Sequence, residues 1–401
     1  MKPEYIKRFE KLGYGMFVHF GLYSMLKEGE WYYYCNPNCD KKYYFSDEFA
    51  NKFNPKKDWA IKLVKLAKKA GAKYITLTTK HHEGFCLYDS KGLTTWDAIH
   101  LGPKRDLVKE FVDACNQEGI IPFFYHAILD WHTPEFENDF PKFVDYLIKS
   151  VEILCTNYGK IGGLWFDGYW AKPNADWQFD RLYQTIRKYQ PEAMIINNTG
   201  MQKRGEVSHY EIDSLTFERG KPNITPYNDG KERAAEMCEV FGTHWGYAEN
   251  DITYKSIHEI ISTLITCRYC NANLLLNVGP KGDGSIRTLD KEYLLAIKKF
   301  IKVNKNFIYD VRKADFDIEE LKLLQDDKYY YAVIENIPMS ADENVQLNQF
   351  HLSFKFPFKL KNPIYLDNKE PVILSEDKTS FEVKPFTYGR NYFARVVRFK
   401  K

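Results

Sequence analysis

DWAIKLVKLAKKAGAKYITLTTKHHEG, residues 58–84, reads as one helix–turn–strand unit. Leu63, Val64, Ala67 and Ala70 recur at helical spacing on one face, Asp58 stands where an N-cap belongs, and Gly71 is the stop. KYITLTT (73–79) then alternates β-branched and aromatic residues, which predicts a buried strand. The same unit recurs outward from here. Asp106 precedes LVKEFVDACNQE and Gly119, and amphipathic stretches return over 142–158 and 287–303. Between them lie short apolar runs: YGMFVHFG (14–21), IIPFFYHA (120–127), GGLWFDG (162–168), MIINN (194–198), SLTFE (214–218), HWGY (244–247) and NLLLNVG (273–279). Eight strand-like runs interleaved mostly with helices predict a (β/α)8 barrel, and an open doubly wound sheet gives similar local signals. The spacing after the first run is long and no helix is legible between the fifth and sixth, so the expected barrel is irregular.

From about residue 312 the helical period disappears. KYYYAVIENI, FHLSFKF, PVILSE, SFEVKPF and FARVVRFK alternate instead, which predicts an antiparallel β-sandwich over 312–401 behind a catalytic barrel over 1–311. The sandwich is read as a cover for the barrel. Among 401 residues, 44% are hydrophobic and 28% charged, which excludes a disordered or fibrous chain. The net charge of +3 gives no reason to expect a nucleic-acid or membrane-surface partner. No run reaches the 18 apolar residues of a membrane span. MKPEYIKRFEKLGYGM lacks the apolar core of a secretory signal, so a cytoplasmic location is expected. An aromatic content of 16% suits a large core or a cleft whose rings stack on sugar faces. Cys35/Cys39 and Cys267/Cys270 have spacings a structural zinc could use, but the second pair lies in a helix-like apolar run, where cysteine behaves as a small hydrophobe.

In a barrel, chemistry sits at the C-terminal ends of the strands. Those ends carry His19, Lys80-His81-His82-Glu83, Tyr125 and His126, Trp165-Phe166-Asp167, Asn197-Asn198, Glu218, and Trp245 with Tyr247. A strand that only builds core has no reason to end in His, Asp or Glu. Asp167 follows Leu164-Trp165-Phe166, and a carboxylate there costs free energy unless paired or used. Capping of a neighbouring loop would explain it, and Arg219 would explain Glu218 as a surface pair. Taken together, two carboxylates on one barrel rim are what a glycosidase needs. The adjacent histidines, if extended, point to opposite sides, so only one need face a ligand. A metal held by His19, His81, His82, His126 and Asp167 is the rival reading, without HExxH-type spacing behind it. NVGPKGDGSI (277–286) matches no phosphate-loop pattern and reads as a turn.

MFVHFGLYS (16–24), GEW (29–31), KYITLTTKHHEGFCLYDS (73–90), GGLWFDG, HWGY and NLLLNVGPKGDG (273–284) together resemble glycoside hydrolase family 29, the retaining α-L-fucosidases. The resemblance runs through nearly all of the first domain. It implies an irregular (β/α)8 barrel with a C-terminal β-sandwich, a fucosylated oligosaccharide or glycoside as substrate, hydrolysis with retained configuration, and no metal or organic cofactor. It implies Asp167 as nucleophile and His19, Glu30, Trp31, His81, His82 and Tyr125 as ligands of the fucose hydroxyls. Trp165 would belong to the same pocket and Trp245 would lie near the C5 methyl. Glu218, in a pattern with Asp213 and Thr216, matches the acid/base, with Glu30 as the main rival and Glu206, Glu211 and Glu236 behind it. One departure stands out. The family often carries an arginine soon after the asparagine pair, where this chain has Thr199-Gly200, leaving Arg204 or Arg219 to substitute. Two other readings stay open: a fucose-binding protein that has lost catalysis, and a retaining glycosidase for another sugar.

Overall fold

Eight parallel strands close into a barrel in sequence order. They are β1 (Tyr14–Val18), β2 (Tyr74–Lys80), β3 (Ile121–Ala127), β4 (Gly163–Asp167), β5 (Met194–Asn197), β6 (Ser214–Glu218), β7 (Ala234–Glu239) and β8 (Ala272–Val278). β8 pairs with β1 from Tyr14↔Leu274 to Val18↔Val278 and completes the ring. The computed structural model describes residues 2–201, 204–223, 229–335, 337, 352–386 and 389–401.

The helices are α1 (Glu4–Glu10), α2 (Trp59–Ala70), α3 (Leu107–Glu118), α4 (Phe140–Thr156), α5 (Phe179–Tyr189), α6 (Ile257–Tyr269) and α7 (Thr288–Ile308), apart from single turns. α2 buries Leu63, Val64, Ala67 and Ala70 as its period requires, and Gly71 ends it in the left-handed region at φ 100°. Asp58 sits at its N-cap position but makes no capping bond. Its carboxylate pairs with Lys62 at 2.6 Å instead. Asp106 does cap α3, accepting from the Lys109 N–H at 2.8 Å. Helix α1 lies across the N-terminal mouth of the barrel, where Ile6 and Phe9 join the interior side chains Tyr74 and Phe123. Among the described residues no helix separates β5 from β6, nor β6 from β7. None is long and apolar enough to cross a membrane.

The seventh strand is not HWGY. It is AAEMCE, residues 234–239, paired in parallel with β6 and β8. Alanine and glutamate are poor strand formers, so local preference hides this strand and only its two neighbours impose it. HWGY lies in the loop beyond it, where Trp245 and Tyr247 are buried by tertiary packing rather than by a ladder.

Beyond α7 an antiparallel five-stranded sheet runs in the order β13-β15-β11-β10-β9, from β9 (Arg312–Lys313), β10 (Lys322–Gln325), β11 (Tyr329–Ile334), β13 (Lys361–Tyr365) and β15 (Arg395–Lys400). A second sheet pairs β12 (Ser353–Lys355) with β14 (Ser380–Glu382). Phe354 and Phe381 of the small sheet share one core with Leu323, Val397 and Phe399 of the large one, giving a lopsided sandwich. The expected strand PVILSE forms only isolated bridges at Pro371 and Leu374. Phe350 and His351, the start of FHLSFKF, lie outside the described residues. The opposite face packs on the barrel. Leu324, Tyr331, Val333 and Val396 join the barrel's own core, and Ser262 of α6 donates to Glu335 at 2.7 Å.

Candidate active site

Alternation along each strand decides which side chains reach the site. Phe17, Tyr125, Trp165, Ile196 and Cys238 fill the barrel interior, and the residues two further on continue the same face. Phe17 is thereby followed inward by His19, Trp165 by Asp167 and Ile196 by Asn198. Thr216 and Glu218 do the same on β6. Phe166 points the other way, into the helix layer. His126, opposite in phase to Tyr125, also faces outward, near Tyr88, and so lies apart from the histidines it was grouped with as a metal ligand. Gly168 follows Asp167 at φ 102°, where a Cβ would sit 2.5 Å from that of Leu129. No larger residue fits that corner.

A cavity of about 390 Å³ opens at the C-terminal mouth. It is lined by every residue singled out for binding or catalysis: His19, Glu30, Trp31, His81, His82, Tyr125, Trp165, Asp167, Glu218 and Trp245. Both histidines of the pair line it, against the expectation for an extended chain. A register shift between Thr78 and Lys80 ends the ladder, and the Gly84 N–H closes a turn onto the His81 carbonyl at 3.0 Å, bringing the two rings to 4.3 Å.

Asp167 and Glu218 share one partner. Asn198 Nδ2 donates to Asp167 Oδ1 at 3.2 Å and to Glu218 Oε2 at 2.8 Å, so those oxygens lie within 6.0 Å of each other. The amide cannot flip without loss, because a flip would turn its oxygen onto the two carboxyls; as placed, its Oδ1 accepts from the Thr216 hydroxyl at 3.1 Å. Asp167 Oδ2 also accepts from the Tyr125 hydroxyl at 3.0 Å and stands 3.6 Å from His82 Nε2. Burial pushes the Asp167 carboxyl up. Donors from Tyr125, Asn198, the Gly168 N–H and Trp170 oppose this. Glu218 is pushed up to about 7, first by burial and then by the Asp167 charge. Of the pair, Glu218 holds the proton, since Asp167 collects the larger set of donors.

The imidazoles are neutral. Burial holds His19 and His82 well below their ordinary value and lowers His81 to about 3. His19 Nδ1 meets Asn277 Oδ1 at 2.7 Å, while Asn277 Nδ2 donates to the Trp245 carbonyl at 2.7 Å. With the amide so oriented, His19 carries its proton on Nδ1 and turns an accepting Nε2 elsewhere. Glu30 Oε2 accepts from the N–H groups of Trp245 and Gly246, at 3.0 and 2.7 Å, and ties the loop after β1 to the loop after β7. Burial raises its carboxyl too.

The other rivals lie elsewhere. Glu236 sits one layer deeper, bonded to Tyr74 and to Trp165 Nε1 at 3.0 Å, behind the indole. Glu211 faces Arg187 at 3.5 Å, and neither it nor Glu206 lines the cavity. Of the two candidate arginines, Arg219 lines the cavity, its guanidinium 5.0 Å over the Trp245 ring and bonded to the Thr243 carbonyl at 2.7 Å. Arg204 is exposed and holds the Glu218 backbone carbonyl. Of the cysteine pairs, Cys35 is exposed on a surface turn, whereas Cys267 is buried against Met237. Sequence reasoning missed Trp170, which lines the cavity and serves Asp167, and left Asn198 without a role. Its place at a strand end was visible, but the bridge between two carboxylates was not.

Paired carboxylates of unequal acidity on one barrel rim are equipment for breaking a glycosidic bond, and fold and site define a glycoside hydrolase. The family model described as alpha-L-fucosidase matches residues 2–306. The chain belongs to the alpha-L-fucosidase family. The tissue alpha-L-fucosidase of Homo sapiens is 29% identical over 331 residues, which are 75% of this chain and 68% of that protein. The structure of alpha-L-fucosidase isoenzyme 1 from Paenibacillus thiaminolyticus aligns with a TM-score of 0.85 at 29% identity, over 99% of this chain and 98% of that one. A GH29 alpha-L-fucosidase from Bacteroides thetaiotaomicron aligns with a TM-score of 0.83 at 25% identity, over 100% and 95% of the two chains.

Proposed function

We propose that this protein removes terminal α-linked L-fucose from oligosaccharides or glycosides by double displacement, with Asp167 as nucleophile and Glu218 as acid/base. In this reading residues 1–311 are the catalytic unit and 312–401 its cover. The observation that carries it is the single Asn198 amide serving both carboxyls. Retaining pairs stand ~5–5.5 Å apart and inverting pairs ~6.5–9.5 Å. A pair whose oxygens lie within 6.0 Å leaves little room for a water between it and the sugar.

The ionised Asp167 attacks the anomeric carbon as Glu218 passes its proton to the leaving oxygen. A fucosyl ester forms on Asp167 and the aglycone departs as an alcohol. The charge that kept Glu218 protonated is then gone, so its acidity rises and it can take a proton from the incoming water. Water attacks the same carbon from the other side and the ester breaks, releasing fucose with its original configuration. The neutral imidazoles of His19, His81 and His82 offer hydroxyl partners without a competing charge. Phe17, Trp165, Cys238 and Trp245 give the cavity an apolar wall that suits a methyl group at C5. A 6-hydroxyl would be left unpaired there.

The test is hydrolysis of 4-nitrophenyl α-L-fucoside by wild type, Asp167→Ala and Glu218→Ala, with azide added. Activity in wild type, none in Asp167→Ala without azide, and azide rescue of Glu218→Ala to α-fucosyl azide, the product of retained configuration, support both roles. A wild type that binds fucose but cleaves no fucoside would sink the catalytic reading.

A further inference from the structure

The cavity has a second part, outside the two carboxyls and the imidazoles. Its mouth is a cluster of rings. Trp31 lies 5.4 Å from His82 and 5.7 Å from Trp170. Trp131 lies 5.2 Å from Trp31. Tyr34 stacks on Trp131 at 5.9 Å with an interplanar angle of 18°, and meets Trp31 edge-on at 5.7 Å. The three indoles are half-buried and Tyr34 is 65% exposed. Met201, 42% exposed, lines the same cavity from the loop after β5. Three separate loops supply the four rings: the long insertion after β1, and the loops after β3 and β4.

We propose that this rim is the subsite for the leaving group, taking an aglycone with a flat apolar face, either the C–H face of a pyranose or an aryl ring. The proposal rests on the fucosidase reading of the pocket beneath it. The rim is continuous with that pocket, because Trp31 and Trp170 line both. A bond broken between Asp167 and Glu218 sends its aglycone outward, past these rings. An exposed aromatic cluster of this size is costly to leave wet and gains by covering a ligand face. It is also held in place. Lys80 and Asp130 form a fully buried pair at 2.8 Å, and Asp130 Oδ1 accepts from the N–H groups of His132 and Thr133 at 3.0 and 2.8 Å. The Trp131 N–H between them reaches the His82 carbonyl at 2.7 Å. The Trp131 segment is therefore fixed before substrate arrives.

The experiment measures kcat/KM of wild type, Tyr34→Ala and Trp170→Ala on three substrates: 4-nitrophenyl α-L-fucoside, an α-L-fucosyl-galactose disaccharide, and α-L-fucosyl fluoride, which has no ring to stack. The ratio of ring-bearing substrate to fluoride should fall about tenfold in Trp170→Ala and about threefold in Tyr34→Ala, with the fluoride rate of Tyr34→Ala unchanged. A fall confined to the aryl arm supports the subsite and assigns it to aryl glycosides. A fall confined to the disaccharide supports it and assigns it to glycans. Ratios that stay at wild type in both variants overturn the proposal while leaving the fucosidase reading intact. A wild type silent on the fluoride overturns that reading and this one with it.

Discussion

Strand β6 has a carboxylate at each end, Asp213 just before it and Glu218 as its last residue, in opposite surroundings. At its N-terminal end Asp213 is fully buried and accepts from Arg187 at 2.6 Å, Lys231 and Tyr5 at 3.0 Å, and the Ile195 N–H at 2.8 Å. At its C-terminal end Glu218 takes the Asn198 amide and faces a second carboxyl. The first arrangement matches a buried anion with two cations and spare donors, which is what stability asks for. The second sets like charges together, which stability forbids and catalysis requires. Position along one strand thus separates the residue that holds the barrel from the residue that works.

The contrast can be broken at either end. Asp167→Ala should lower kcat on 4-nitrophenyl α-L-fucoside by on the order of 10⁴-fold or more, while calorimetry finds Tm unchanged or raised, since a costly buried carboxyl is gone. Asp213→Ala should do the reverse. It leaves Arg187 and Lys231 facing each other, so denaturant unfolding should report a loss of about 3–5 kcal/mol, with the activity of the folded fraction retained. A stable Asp213→Ala protein would end the distinction between the two ends.

Glu218→Gln should reduce kcat/KM of fucosides with poor leaving groups by roughly 10²–10⁴-fold and spare kcat/KM of fucosyl fluoride, whose leaving group needs no proton. Because the acid must be protonated, the wild-type rate should be present below about pH 7 and fall above it, and this limb should vanish in the variant. The same raised pKa has a sign for stability. The folded state binds the proton more tightly than the unfolded one, so the contribution is present at low pH and lost as pH rises through about 7. The Tm–pH curve of Glu218→Gln should be flatter over that window. The smallest effect is expected for Thr216→Val. Losing the bond that orients Asn198 costs ~0.5–1.5 kcal/mol, read as a few-fold drop in kcat/KM with a shifted alkaline limb.

Much of this was legible because chemistry at strand ends interrupts an apolar pattern. Asp167 after Leu164-Trp165-Phe166, and Glu218 after Leu215-Thr216-Phe217, were visible for that reason, and each ends its strand in the structure. AAEMCE was missed because its alternation is carried by alanine and glutamate, which signal no strand locally. HWGY was mistaken for one because burial by packing and burial in a ladder leave the same residues behind. The opposed histidines were misjudged for a geometric reason: the ladder slips after Thr78 and a turn replaces extended chain. Strands β10 and β13 are short, each starts on a lysine, and they take shape from their pairing with β11 and β15.

By itself the sequence determined the repeating helix–strand order and which strand ends carry acids and imidazoles. These are local facts, set by periods of 3.6 and 2 and by the cost of burying charge. Only the tertiary structure decided that one asparagine would serve two carboxyls, that Glu236 would lie behind an indole instead of beside Asp167, and that rings from three loops would meet at one rim. Those outcomes depend on distances between strands and loops far apart in the chain, which closure of the barrel sets and no local pattern encodes.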